Sequence, residues 1–302
     1  MRKVLIIALI LLSIGCVNEK EKDENIVDNE NIIEIEFGDR NVCRKVAESS
    51  HAGCDNDGIM KATQEQIDSV TTLKFIYSAW DSRDIYSLKG LEYFTNLKEL
   101  DISGLELSDI SVVSNLTNLV KLDISNTEVY DLTALSGLTN LEELIMYSTN
   151  VEDITPISNL SKLTILDMKW TKITDGSPLV NLQNLKELHF SGNVSNYNFL
   201  NNLTNLEKLY LESENIKNLN CISKLTNLEY LQIFGRQVKD ISALKSFTKL
   251  KELIIDSTGV TDITPLANLT NLEELVIDFE NIENLNVVKN IPNITIKDGG
   301  PI

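Results

Sequence analysis

The feature that constrains the fold most is a repeat of about 22 residues. The block LTNLEEL begins at Leu138 and returns at Leu269. The leucine that opens each unit stands at positions 97, 119, 141, 163, 185, 206, 228, 250 and 272, and Ile294 continues the series. The step is 22 residues except between Leu185 and Leu206, where it is 21. Self-similarity at such a short, fixed period indicates a solenoid in which each repeat is one structural unit.

Each part of the unit predicts a local structure. The segment L-x-x-L-x-[LIMF] places apolar side chains at alternate positions, which is typical of a half-buried strand. An aspartate then precedes an apolar residue and suits the cap of a short helical turn; these aspartates are Asp109, Asp131, Asp153, Asp240 and Asp262. An asparagine before the next opening leucine is turn chemistry; these asparagines are Asn96, Asn118, Asn140, Asn205, Asn227 and Asn271.

The stacking of such units predicts an α/β solenoid. No single coil can bury its leucines alone, so neighbouring coils stack and share one core. We expect a curved horseshoe with a parallel β-sheet on the concave side and 3-10 turns on the convex side. The repeats run over 70–296, with an irregular first coil, nine regular coils and a partial last one before a tail at 297–302. From Val70 to Leu97 the step is 27, so the first coil carries about five extra residues.

These coils resemble the 22-residue leucine-rich repeats of bacterial internalins. The resemblance covers roughly Phe37 to Ile296 and rests on nine consecutive units in register. It implies the horseshoe fold and a concave face that binds a partner outside the cell. This chain departs from the family at one position of the repeat, where the family usually has an asparagine and these asparagines form a ladder inside the solenoid. The residues at that position here are Leu105, Thr127, Thr149, Thr171, Asn193, Glu214, Arg236, Thr258 and Glu280. Threonine can make part of a ladder, whereas we expect the glutamates and the arginine to point outward.

The segment before the repeats, 37–69, resembles the N-terminal cap of the same family. Asp39 is expected to cap a helix from about Arg40 to Ser49, which would cover the open end of the first coil. Cys43 and Cys54 lie outside the leucine pattern and, in an exported protein, predict a disulfide; the alternative is two free thiols. Cys221 replaces the proline or alanine of other units, so we expect a half-buried small residue.

The N-terminus predicts export. A basic start, an apolar run of 11 residues and Gly15-Cys16 have the layout of a secretory signal over 1–16, too short to span a bilayer comfortably. The ending resembles a bacterial lipoprotein signal in which Cys16 receives the lipid, although Ser13 stands where leucine is usual. The alternative is an ordinary cleaved signal with a bystander cysteine. Lipidation would hold the protein on a membrane by its acyl chains.

An acidic segment follows the signal. Residues 17–36 contain eight acidic residues, two lysines and no aromatic residue, which predicts a solvated tether. Its end, IIEIE, alternates apolar and acidic residues and is compatible with the folded part. The whole chain has 27 Lys+Arg, 45 Asp+Glu and a formal net charge of -18. That balance is unfavourable for nucleic-acid binding, where neutralisation of phosphates dominates affinity.

Motifs for catalysis, cofactors or metals are not recognised in the sequence. Its only histidines, His51 and His189, are far apart, and neither a nucleophile elbow nor a phosphate-binding loop is present. Asp55 to Gly58 has half the pattern of a calcium loop but lacks the later ligands, so a turn is the favoured interpretation. We therefore predict neither enzymatic activity nor a cofactor.

The outward strand positions carry the functional prediction. The first two coils present small and acidic residues, whereas coils three to seven present an aromatic and apolar patch. The predicted partner-binding residues are Ile145, Tyr147, Ile165, Lys169, Trp170, His189, Tyr210, Tyr230 and Phe234, with Phe279 extending the patch at the last coil. Aromatic clusters on a polar face are typical of binding hot spots. The alternative is that strands favour aromatic residues anyway, or that Trp170 turns into the loop layer.

The resemblance and this patch together predict a function. We expect a surface-anchored, monomeric recognition or adhesion module that binds an extracellular protein or peptide, with a glycan as a further possibility. The alternative is a lipoprotein with a structural or spacer role in the envelope and no specific ligand. If Cys16 is not used, the protein is secreted rather than anchored.

Overall fold

The computed structural model describes residues 31–75, 85–192 and 194–299. The signal, Cys16, nearly all of the tether and the extra residues of the first coil at 76–84 lie outside these ranges, as do the last three residues. The described residues from Ile32 onward group into one compact unit. Within the described part of the chain, every helix is too short or too polar to cross a membrane.

A small cap begins the folded part. It contains β1 (Ile32–Glu36), α1 (Arg40–Ser50), β2 (Gly53–Cys54), β3 (Ile59–Thr63) and α2 (Gln64–Ser69), and its strands form an antiparallel sheet in the order β1-β3-β2. The expected helix cap is confirmed, because the Asp39 carboxylate accepts the backbone N–H of Asn41 at 2.7 Å. The fold starts inside the segment predicted as tether, because the alternation of IIEIE buries Ile35 fully against β3.

The predicted disulfide is confirmed. It joins Cys43 on α1 to Cys54 on β2, with 6.0 Å between the two Cα atoms, and Cys43 is fully buried. The turn interpretation at Asp55 fits the structure, since Asp55 Oδ1 accepts the backbone N–H groups of Asp57 and Ile59 at 2.9 and 2.8 Å. The described residues contain no group of three or more His, Cys, Asp or Glu side chains that could hold a metal ion.

A sheet of eleven parallel strands follows the cap, one strand per coil. The strands are β4 (Thr72–Lys74), β5 (Glu99–Asp101), β6 (Lys121–Asp123), β7 (Glu143–Ile145), β8 (Ile165–Met168), β9 (Glu187–Ser191), β10 (Lys208–Glu212), β11 (Tyr230–Phe234), β12 (Glu252–Ile254), β13 (Glu274–Ile277) and β14 (Thr295–Asp298). They stack in chain order, with Leu100 beside Leu122 and Leu122 beside Leu144. The opening leucines are fully buried. The predicted solenoid is therefore confirmed.

The last step of the repeat differs from the prediction. Leu275 pairs with Ile296 and Glu274 pairs with Thr295, so the final step is one residue shorter than the usual 22. Asn293, with a φ of 61°, and not Ile294, takes the place of an opening leucine. The prediction for Ile294 is therefore wrong by one residue, because the pattern cannot reveal how many residues the last turn between β13 and β14 consumes.

The convex side consists of 3-10 turns, of which Asp175 begins one that the sequence analysis did not predict, and five aspartates begin others as predicted. In each, Oδ1 accepts the backbone N–H two residues later at 2.8 Å; the acceptors are Asp109, Asp131, Asp153, Asp240 and Asp262. These bonds and those from the same Ser or Thr hydroxyl favour the charged carboxylate and hold each pKa below its usual value. Asn196 and Asn218 occupy the same place without a charge.

Asparagines tie neighbouring coils together. The side-chain Nδ2 of the asparagine before each of several opening leucines donates to a backbone carbonyl of the preceding coil, as in Asn118 to Thr95 at 2.8 Å and Asn140 to Thr117 at 3.0 Å. The threonines at the family's ladder position act differently. Thr127 and Thr149 donate to carbonyls three residues earlier in their own coils, so they do not bridge coils. Glu214, Arg236 and Glu280 are exposed, as expected.

Two residues outside the regular pattern also have clear positions. Cys221 is a half-buried free thiol in a 3-10 turn, as expected, and burial raises its pKa to about 11. Tyr197 and Phe199 lie in the coil that is one residue short, where they pack with Phe190 at ring distances of 6.3 and 5.8 Å. These rings fill the core of that coil.

Candidate partner-binding face

Strand alternation decides which side chains the concave face presents. Along β7, Leu144 and Met146 are fully buried, while Glu143, Ile145 and Tyr147 are half-buried and point the other way. On the next four strands the inward positions are likewise buried and the outward ones accessible, except Asp167 and Ser191, which are outward but only 8% exposed. Ile145, Tyr147, Ile165, Lys169, His189, Tyr210, Tyr230 and Phe234 are all partly accessible outward positions, as the sequence predicts.

A stack of three rings occupies the middle of this face. His189 and Tyr210 are register partners on β9 and β10, and their ring centroids are 3.8 Å apart. Tyr230, one strand further on, lies diagonally 4.6 Å from Tyr210. The Tyr230 hydroxyl donates to Gln232 at 2.8 Å. Burial raises the pKa of Tyr230, and the neighbouring Tyr210 adds to the effect. We call His189, Tyr210 and Tyr230 the ring stack.

Two carboxylates and two lysines surround the ring stack. His189 Nε2 and Glu187 Oε1 form a hydrogen bond of 2.7 Å. His189 Nδ1 lies 3.2 Å from Asp167 Oδ2 without hydrogen-bond geometry, so that contact is electrostatic only. Lys169 Nζ is 3.8 Å from Asp167 and 5.7 Å from the Tyr210 ring centroid. Burial raises the pKa of Glu187, but hydrogen bonds from His189 and Lys208 outweigh it and leave the pKa below its usual value.

A second aromatic pair lies at the ends of β7 and β8. The Tyr147 and Trp170 rings are 6.3 Å apart in an edge-to-face arrangement, and the Tyr147 hydroxyl accepts Asn126 Nδ2 at 2.7 Å. Trp170 has a φ of 55°, and its backbone N–H donates to Ser191 Oγ. Its side chain is 64% exposed. The alternative in which Trp170 turns into the loop layer is therefore wrong.

A groove beside this pair was missed by the sequence analysis. It has a volume of about 730 Å³ and runs across the strand ends, with Trp170, Phe234, Glu212 and Arg236 among its walls. Four small residues lie along it at the same position of successive coils, which we call a column; they are Gly192, Ser213, Gly235 and Ser257. Neighbouring coils place Ser148 and Trp170 in the same column. A run of small residues in one column was the signal that could have revealed the groove.

Phe279 lies at the far end of the predicted face. Phe279 begins a 3-10 turn after β13 and is 38% exposed. It shares the column of Trp170 but lies five strands away, which corresponds to about 24 Å at the usual strand spacing. The central part of the predicted face consists of the ring stack, the Tyr147–Trp170 pair, the two isoleucines, Lys169 and Phe234. Phe279 is two strands beyond Phe234, about 10 Å at the same spacing, and its part in the face stays a prediction.

Solved structures resemble this chain closely. The internalin InlF from Listeria monocytogenes matches with a TM-score of 0.77 and 31% sequence identity, over 87% of this chain and 76% of that one. Internalin C2 from the same organism matches with a TM-score of 0.61 and 26% identity, over 82% and 99% of the two chains. A leucine-rich repeat protein from Leptospira interrogans has a TM-score of 0.68 at 20% identity, over 79% and 63%, and supports the fold alone.

Searches with the sequence gave no further assignment, since neither a protein-family model nor a curated protein matches it. The likeness to InlF is sufficient to assign the family, because 31% sequence identity extends over most of both chains. The coils, the cap and the parallel sheet described above are features of the same architecture. This protein therefore belongs to the internalin family of leucine-rich repeat proteins.

Proposed function

We propose that this protein is an extracellular recognition module whose concave face, from β7 to β11, binds a protein partner. The observation that carries the proposal is the concentration of partly accessible aromatic rings on one rigid sheet. Tyrosine and tryptophan dominate the hot spots of protein interfaces. Rings that already pack against each other lose little freedom on binding, so more of the contact energy remains available for affinity.

The same proposal includes a location. The signal-like N-terminus supports export, and a disulfide in the cap fits an oxidising compartment. We propose that lipid on Cys16 anchors the mature protein at the cell surface and that the acidic segment after it serves as the tether. A monomer is the proposed state, since a net charge of -18 opposes self-association. A glycan is the less favoured ligand.

The test is a binding experiment with the full chain, purified in mild detergent and presented to extracts of surface proteins. The variant replaces Tyr147, Tyr210 and Phe234 by serine. We expect partner capture to fall at least tenfold, because three aromatic side chains of the face are removed. The matched control is Tyr130→Ser, which removes a tyrosine that is 64% exposed in the loop after β6 and should leave capture unchanged.

The outcomes separate the two candidate functions. Equal capture by wild type, triple variant and control would overturn the concave-face proposal and favour the spacer role. Thermal unfolding of each variant shows whether the solenoid persists. If the triple variant unfolds, the single change Tyr147→Ser provides the readout, because Tyr147 is half-buried and its ring packs only at the edge of Trp170.

A further inference from the structure

We propose that the partner presents a cationic segment and that one of its arginine or lysine side chains inserts between Asp167, Glu187 and the ring stack. This inference rests on the proposed function and adds the chemistry of the partner to it. Three features carry it, namely the acidic charge of the concave face, poorly solvated carboxylates elsewhere on that face, and a lysine of the chain itself that already occupies part of the subsite.

The concave face is strongly acidic. Each strand has three outward positions, namely the residue before its central leucine and the residues one and three after it, such as Glu143, Ile145 and Tyr147 around Leu144. From β5 to β13 these positions carry eleven carboxylates and only three lysines. The lysines are already paired with neighbouring carboxylates: Lys121 with Glu143, Lys169 with Asp167 and Lys208 with Glu187. On the flanking strands, Lys74 pairs with Glu99 and Lys297 with Glu274, which leaves six of the eleven carboxylates without an ion pair among the described residues. A partner of opposite charge gains both association rate and specificity from such a surface.

Some of these carboxylates are also poorly solvated. Asp256 is only 7% exposed, and its Oδ1 has no hydrogen-bond partner among the described residues. Burial raises the pKa of Asp256, and the nearby charge of Asp278 adds to the shift. At Asp123 burial likewise raises the pKa and outweighs the hydrogen bonds from Ser125. These two carboxylates lie on β6 and just after β12, on either side of the Asp167–Glu187 subsite, so a cationic segment that extends along the face would also stabilise them.

Lys169 shows how a cation is held at the ring stack. Its ammonium lies within reach of both the Asp167 carboxylate and the Tyr210 ring. Carboxylates and aromatic rings together attract cations by charge and by the ring quadrupole. Glu187 lies on the other side of His189 and adds a second carboxylate. An arginine suits this arrangement well, because its planar guanidinium pairs with carboxylates at two points and stacks on aromatic rings.

The probe for the test is a fluorescein-labelled hexa-arginine peptide, with hexa-glutamate as the opposite-charge control. Binding to the full chain is followed by fluorescence anisotropy at low salt and again at higher salt, where screening should weaken it. We expect hexa-arginine to bind and hexa-glutamate not to bind. The double variant Asp167→Asn, Glu187→Gln should weaken hexa-arginine binding about tenfold, which is typical for the loss of charge-assisted contacts.

The control has the same change in net charge. Glu106→Gln with Glu128→Gln removes two exposed carboxylates from the loops that follow β5 and β6 and should alter affinity less than twofold. The variant Lys169→Met leaves both acidic residues of the subsite in place and removes the competing ammonium. We expect it to bind hexa-arginine several-fold more tightly than the wild type.

Several results would overturn the inference. They are the absence of hexa-arginine binding, an equal loss in the two double variants, or no gain from Lys169→Met. Equal losses would mean that the peptide senses net charge rather than the subsite. If partner capture depends on Tyr147, Tyr210 and Phe234 but hexa-arginine does not compete with it, the cationic partner is excluded while the proposed function stands. If capture is independent of those three residues, the proposed function itself fails.

Discussion

Single residues in this chain have two separate tasks. The leucines and their buried neighbours specify the coil, whereas the residues between them choose what the concave face presents. Leu144 and Met146 are fully buried, and Tyr147 beside them reaches the accessible side. The outward positions can vary because no packing constraint from the core acts on them. The small residues at the strand ends are an exception, since they permit close approach between coils.

Gly235 provides a test of that close approach. A Cβ atom at Gly235 would lie 2.5 Å from the backbone oxygen of Ser213, which cannot move without shifting the neighbouring coil. We expect Gly235→Ala to lower the free energy of unfolding by about 1–3 kcal/mol, as overpacking does. Gly137→Ala is the control, because nothing lies within 4 Å of its added Cβ. It should be neutral or stabilise by about 0.4–1 kcal/mol. Urea unfolding measures both, and equal stabilities would contradict the account.

The repeated elements are held together mainly by local polar chemistry. The eight 3-10 turns between residues 111 and 266 each begin where an aspartate or asparagine accepts a backbone N–H. Asparagines before the opening leucines connect one coil to the one before it. The five aspartate caps share a lowered pKa, because hydrogen bonds favour their charged form. Acid should therefore act on many elements at the same time.

The sign of this pH dependence follows from the lowered pKa values. The contribution of each charged cap is present above the usual aspartate value of 3.8 and is lost as the pH falls through the lower folded-state value. We expect the variant with asparagine at positions 109, 131, 153, 240 and 262 to lose less stability between pH 5 and about pH 2 than the wild type. Asn196 and Asn218 show that a neutral cap is tolerated. Thermal unfolding across that range checks it, and identical acid profiles would refute it.

At the scale of the whole molecule, the cap and the N-terminus have different roles. The cap joins a disulfide-linked helix to the first coil, so that the terminal leucines do not meet water. The net charge of -18 favours solubility and opposes adhesion to anionic surfaces. A lipid on Cys16 is therefore the proposed means of retention at a membrane.

Cys16→Ser tests that retention. We expect the wild-type protein to fractionate with membranes and the variant to appear in the soluble fraction, since two acyl chains are sufficient for stable anchoring and one serine provides none. Cell fractionation followed by immunoblotting measures the distribution. Cys221→Ser is the matched control and should leave the distribution unchanged. Continued membrane association of the Cys16 variant would show that another interaction holds the protein.

The sequence alone determined the features that depend on neighbours within one coil. Alternating leucines predict the strands, Asp39 and the later aspartates predict the caps, and the isolated pair Cys43 and Cys54 predicts the disulfide. Each of these was confirmed, because a side chain that acts on its own backbone or on the residue two positions away leaves a direct pattern in the chain. The repeat period also predicted which outward residues of successive strands lie next to each other on the concave face.

Only the tertiary structure decided the relations between coils. The 3.8 Å approach of His189 to Tyr210 and the groove over Gly192 and Gly235 depend on how adjacent coils stack. The same is true of the last strand, where Leu275 pairs with Ile296 rather than with Lys297, the residue that a step of 22 would give. Such distances arise from the number of residues each turn consumes and from packing across the sheet, and a periodic pattern records neither.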